Sequence, residues 1–146
     1  MLAKLFVEKK DLALLIIRIA FGLIFFFYGW RHLEGLDRYV QTFTRAQIPF
    51  PEMLAPFVAG LELVGGAVAF LGIFTRYAGL LLAIVMIVST LTVKLPGGLA
   101  QNPRRDPIGI TGAWDIDFAL FTMGVVLLLM GPGKYALEHL IFKREL

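Results

Sequence analysis

The chain has 146 residues, 58% of them hydrophobic, with thirteen Phe, no Cys, a net charge of +3 and a mean hydropathy of +0.78. A soluble domain of this size could not bury that much apolar surface, so the chain belongs in lipid, and the absence of Cys excludes disulfides, thiolate metal sites and thiol relays. Its fourteen Lys and Arg are spread over every loop and both tails, a distribution that suits anionic headgroups and excludes a nucleic-acid groove.

The first apolar run follows a polar start (Lys9, Lys10, Asp11) and reaches His32. It predicts a span over about residues 12–32. The run is too long for a signal-peptide core, contains Arg18 and lacks a small-residue cleavage site, so it reads as a retained helix. Tyr28, Trp30 and Arg31 suit the lipid–water boundary at its end. From Leu36 to Ile48, apolar residues recur every three or four positions among Asp37, Arg38, Gln41 and Arg45. This segment is too short and too charged to cross, and it predicts a helix lying on the membrane surface until Pro49 and Pro51 break it.

A second span is expected over 53–74, where Ala59, Glu62, Gly66 and Ala69 form one stripe of mostly small residues. Such a stripe lets a helix approach closely, whether from the same chain or from a second copy in a homo-oligomer. Thr75, Arg76 and Tyr77 read as the connection to a third span over 77–94, which carries Ser89, Thr90 and Thr92 near its end and Lys94 placed to snorkel. The stretch from Leu95 to Ala113 is rich in Pro and Gly, contains Arg104 and Arg105, and reads as the longest loop. A fourth span, 114–131, opens with Trp114, Asp115 and Asp117 and closes at Gly131–Pro132–Gly133. An interfacial tail follows.

The fold class is therefore all-α: one domain over 1–146, a four-helix transmembrane bundle with short interfacial helices. Seven Lys and Arg fall on the side of both termini and six on the side of the two long loops, with Arg18 inside the first span. This slight excess places both termini in the cytoplasm by the positive-inside rule.

Charges within spans are costly and should face a protein interior, where they find each other. Arg18, Glu62 and Asp117 are thus the candidate catalytic residues, able to meet if Arg18 extends along the bundle. Two carboxylates and one guanidinium would leave the site negative, so that one carboxyl could exchange a proton with a bound quinone. The plainer reading is that ion pairs only set helix order and register. His32 can ligate haem, contact a quinone carbonyl or merely bond water and headgroups. Trp114 is either a site wall or a belt residue. Arg18, His32, Glu62 and Trp114 are accordingly the candidate cofactor-binding residues, and no residue cluster suggests a metal. Gly65–Gly66 and Gly97–Gly98 lack the strand and GxxxxGK context of a phosphate loop.

The run LLIIRIAFGLIFFFYGWRHLEG, the stretch IPFPEMLAPFVAGLELVGGAVAFLGIFTRYAGLLLAIVM and the closing GPGKYAL together resemble the DoxX family of small bacterial and archaeal membrane proteins, over nearly the whole chain. The resemblance implies a four-helix transmembrane bundle in a prokaryotic cell membrane, associated with membrane oxidoreductase assemblies of the thiosulfate:quinone type. It maps Arg18, Glu62 and Asp117, with Asp115 as a rival, onto the family's embedded polar positions. His32 stands where the family commonly has Lys or a similar group.

Two functions follow as expectations. In one, the chain is the membrane subunit of a quinone-linked oxidoreductase assembly, with a soluble or membrane redox partner. In the other, it is a non-catalytic anchor or assembly factor, docking a soluble enzyme on the Leu95–Ala113 loop or the basic tail. The sequence leaves open whether the protein is itself an enzyme.

Overall fold

The computed structural model describes residues 9–95 and 114–142, and every regular element among them is helical. In chain order these are α1 (Lys10–Glu34), α2 (Leu36–Arg45), α3 (Pro51–Leu71), α4 (Thr75–Ser89), a π-helical turn (Thr90–Lys94), α5 (Trp114–Met130) and α6 (Leu137–Phe142). The segments Lys10–Glu34, Pro51–Leu71 and Thr75–Lys94 are long and apolar enough to cross a membrane. At 17 residues, α5 reaches about 26 Å, close to the roughly 30 Å thickness of a hydrocarbon core. Lipid-facing positions stay apolar: Ile16, Phe27, Phe57, Val64, Ile84, Leu91 and Leu129 are all exposed. The protein is thus an all-α membrane protein, with four long helices among the described residues.

Two close helix pairings build the bundle. The first joins α1 to α3, where a Cβ on Gly66 would lie 2.3 Å from the Phe26 backbone nitrogen, and one on Gly29 would lie 2.3 Å from that of Leu63. The stripe of Ala59, Glu62, Gly66 and Ala69 is buried at this seam. It is used within the chain, so it lends no support to a second copy. The second pairing joins α4 to α5, with Gly79 and Gly124 each facing the other's carbonyl oxygen. Phe21, Phe25, Leu82, Met86, Leu120 and Leu127 fill the core between the pairs.

The antiparallel run of the helices gives the bundle two poles. At one, α3 ends in a Schellman motif: Gly72 adopts φ 75°, its N–H donates to Ala69 O, and the Ile73 N–H reaches back to Val68 O. The connection to α4 is therefore Gly72–Phe74 and not Thr75–Tyr77, and Thr75 already begins the helix. The chain after α5 turns at Gly131 and Gly133, both at positive φ. It docks here too, with Ala136 and Glu138 buried and the Glu138 N–H donating to Gly72 O. This tail packs against the bundle more firmly than an interfacial helix would. The expected loop with Arg104 and Arg105 lies outside the described residues.

Candidate functional site

Arg18 belongs to the first pole. It is 3% exposed, and its Nη1 and Nη2 donate to the carbonyls of Pro132 at 2.9 Å and Tyr135 at 2.7 Å. A guanidinium is suited to this task because its planar fork of donors can satisfy carbonyls of a turn that no helix satisfies. Arg76 does related work nearby, donating to Leu128 O and Leu129 O at the end of α5. Since Gly29 of α1 lies level with Leu63 of α3, Arg18 sits about eleven residues, or about 16 Å, along the bundle axis from Glu62. The expected meeting of Arg18 with Glu62 and Asp117 does not occur. Of these three, Arg18 serves one pole and the two carboxylates serve the other.

At the second pole the partner of Glu62 is His32, with Nδ1 and Oε2 sharing a hydrogen bond at 2.6 Å. The local sequence explains the arrangement. The close seam through Gly29 brings the α1 C-terminus against α3, so a side chain one turn beyond Gly29 reaches the carboxylate at position 62. The His32 ring also stacks on Tyr39 from α2, with centroids 3.9 Å apart and planes 6° from parallel. Phe43 meets the far side of this group, edge-on to Tyr39 at 4.9 Å. The amphipathic α2 thus closes over the end of the bundle and holds the imidazole plane.

Asp117, 1% exposed, is held separately. Lys94 Nζ donates to its Oδ1 at 2.6 Å, and Thr90 Oγ1 donates to its Oδ2 at 3.4 Å. Both donors come from the widened π turn at the end of α4, a geometry often found where a helix presents groups to a site. Asp115 is exposed, which removes it as the rival inward carboxylate.

His32, Glu62, Lys94 and Asp117 all line one cavity of about 850 Å³, between the α1–α3 and α4–α5 pairs and beneath α2. Its remaining walls are largely apolar, from residues such as Leu54, Phe57, Val85 and Met86. Burial pushes the Tyr39 phenol above its ordinary value, and the charges of Glu62 and then Asp117 push it further. Tyr39 is therefore a neutral hydroxyl that feels both carboxylates. Arg18 is absent from this lining, and Trp114 lines a separate space of about 300 Å³ with Leu91, Phe118 and Phe121. Tyr39 and Lys94 were the residues sequence reasoning passed over. A signal existed for both: Tyr39 lies on the apolar stripe of α2, and Lys94 follows Thr90 by four residues. No group of His, Asp and Glu capable of holding a metal occurs among the described residues.

The DoxX family profile matches residues 13–95. The chain is similar to a Bacillus subtilis (strain 168) protein named "Putative oxidoreductase CatD", with 30% identity over 93% of this chain and 92% of that one. It is similar also to the Escherichia coli (strain K12) inner membrane protein YphA, with 28% identity over 92% of this chain and 94% of the relative. An uncharacterized membrane protein of Mycobacterium tuberculosis is 29% identical over 88% of this chain and 80% of its own length. No solved structure matches the chain.

Proposed function

The chain belongs to the DoxX family of membrane proteins, and from that premise we propose that it is the membrane subunit of a quinone-linked oxidoreductase assembly, its quinone headgroup received beside His32 and Glu62. The observation that carries this reading is the His32–Glu62 pair on the wall of a largely apolar cavity. The oxidoreductase name borne by the Bacillus relative supports the reaction class.

The residues present fit a quinone. A cavity of about 850 Å³ lies within the usual range for small-molecule sites, and an apolar lining with a few converging polar groups is what a flat ring with an isoprenoid tail requires. When bound, a quinone supplies two-electron, two-proton redox chemistry, with electrons from a partner protein. His32 orients the ligand through Nε2, since Nδ1 is committed to Glu62. Glu62 fixes the ring so that Nε2 faces the ligand, where it donates to a dione oxygen when the ring is protonated and accepts from a diol hydroxyl when it is neutral, with Glu62 Oε2 as the acceptor for the Nδ1 proton. Tyr39 fixes the imidazole plane by stacking, and α2 with Phe43 excludes water from the bundle end.

Native mass spectrometry of the complex, extracted gently from its host membrane, tests this. The expected spectrum retains a membrane-quinone mass in the wild type and loses it in Glu62→Gln and in His32→Leu combined with Glu62→Leu, variants that leave no unpaired buried carboxylate, so that thermal stability of the bundle is largely kept. A stoichiometric soluble protein without any cofactor mass would make the chain an anchor or assembly factor instead.

A further inference from the structure

The proposed function uses one of the two carboxylate pairs in the cavity and leaves the other unexplained. Asp117 and Lys94 sit on the α4–α5 side, while Glu62 and His32 sit on the α1–α3 side, and all four line the same space. The two pairs are built alike. Each carboxylate is almost fully buried, at 2% and 1%, while each nitrogen-bearing partner keeps part of its side chain accessible, 33% for His32 and 25% for Lys94. Burying a carboxylate is costly, and an ion pair that served only helix register would be expected to close on itself inside a seam. These two instead have their nitrogen-bearing members on a cavity wall.

Two further features converge on the same place. The helix leaves regular α geometry at Thr90, and that widened turn is what delivers Thr90 and Lys94 to Asp117. The phenol of Tyr39, stacked on His32, senses both carboxylates, so the two stations flank one volume and not two. The rest of the lining is mostly apolar and aromatic, with Arg31, Arg38, Thr42, Ser89 and Thr92 as its other polar members.

We propose that this cavity is a two-station site for a flat ring bearing two opposed oxygens, with His32 bonding one oxygen and Lys94 the other. This rests on the quinone reading and narrows it to para-diones and their para-diols, bound at both ends. Lys94, set by Asp117 and Thr90, is a specificity-determining residue. A ligand with a single ring oxygen engages only one station and forgoes the second hydrogen bond, which costs affinity.

The test compares binding of two probes to the purified full chain under anaerobic conditions: a short-tailed para-quinol and the matching phenol that lacks the second hydroxyl. Wild type should bind the quinol at least about tenfold more tightly, the contribution of one added hydrogen bond to a charged group. In Lys94→Met combined with Asp117→Asn, which leaves no unpaired buried charge, this ratio should fall to about one with phenol affinity unchanged. Lys94→Arg should preserve the preference. Lys94→Gln, which keeps a donor for Asp117, gives the same comparison if the double variant does not accumulate. An unchanged ratio in Lys94→Met/Asp117→Asn or in Lys94→Gln overturns the second station, as does equal binding of both probes by wild type. Wild type that binds neither probe overturns the quinone reading itself.

Discussion

Arg18 and Glu62 are both buried charges in apolar helices, and their environments assign them opposite kinds of work. The guanidinium of Arg18 is spent on two backbone carbonyls that close the chain after α5, so its removal should be a stability effect. Arg18→Leu is expected to destabilise the bundle by about 3 kcal/mol, the scale of buried hydrogen bonds to a charged group, while quinone retention by the surviving protein is unaltered. Thermal unfolding in detergent beside native mass spectrometry separates the two. Tyr39 offers a pH signature. Its phenol is raised above the ordinary value near 10, so the folded protein retains a proton that the unfolded chain releases. Stability from this source is intact below that value and declines as pH climbs through about 10 and beyond. Melting curves between about pH 8 and 11 should show the decline, and Tyr39→Phe should flatten it. At this scale the sequence identified which side chains are unusual: Arg18, His32, Glu62 and Asp117 stand out in any hydropathy reading. It did not identify their partners, because pairing depends on the level at which two antiparallel helices meet.

Among the elements, the glycines decide that level. Gly22 and Gly29 on α1 face Gly66 and the Ala59–Leu63 backbone of α3 too closely for any side chain, and this contact sets the axial register that brings His32 to Glu62. Gly66→Ala should therefore force α1 and α3 apart, with loss of accumulation and of ligand retention together. Gly60→Ala is the matched control: nothing lies within 4 Å of a Cβ there, so helix propensity favours the substitution slightly and stability should hold or rise. Quantitative expression and melting of the two variants make the comparison. The small-residue stripe on α3 was legible from its three-and-four spacing. The π turn was not, because TLTVK carries no Gly or Pro and its unwinding answers to Asp117 on another helix.

For the whole molecule, the two poles carry a topological consequence. Asp11 Oδ1 accepts from the Lys134 backbone N–H, so the start of α1 and the chain after α5 share one pole, while α2 and the Lys94–Asp117 pair share the other. The chain has no native Cys, so single cysteines at Lys134 and Arg38 can be labelled cleanly with a membrane-impermeant maleimide. Position 134 should react from one face of the membrane and position 38 from the opposite face. Reaction of both from the same face would contradict the four-helix arrangement. Composition and periodicity alone determined that this chain is helical, that it lives in lipid, and roughly where each long helix runs, because those properties depend on local hydropathy and on residues three or four apart. Only the tertiary structure decided that Arg18 stands about 16 Å from Glu62, that His32 and Lys94 are the carboxylates' partners, and that one cavity gathers both pairs. Those facts depend on how far one helix slides along another, a quantity set by backbone contact at a few glycines and written in no single segment of the chain.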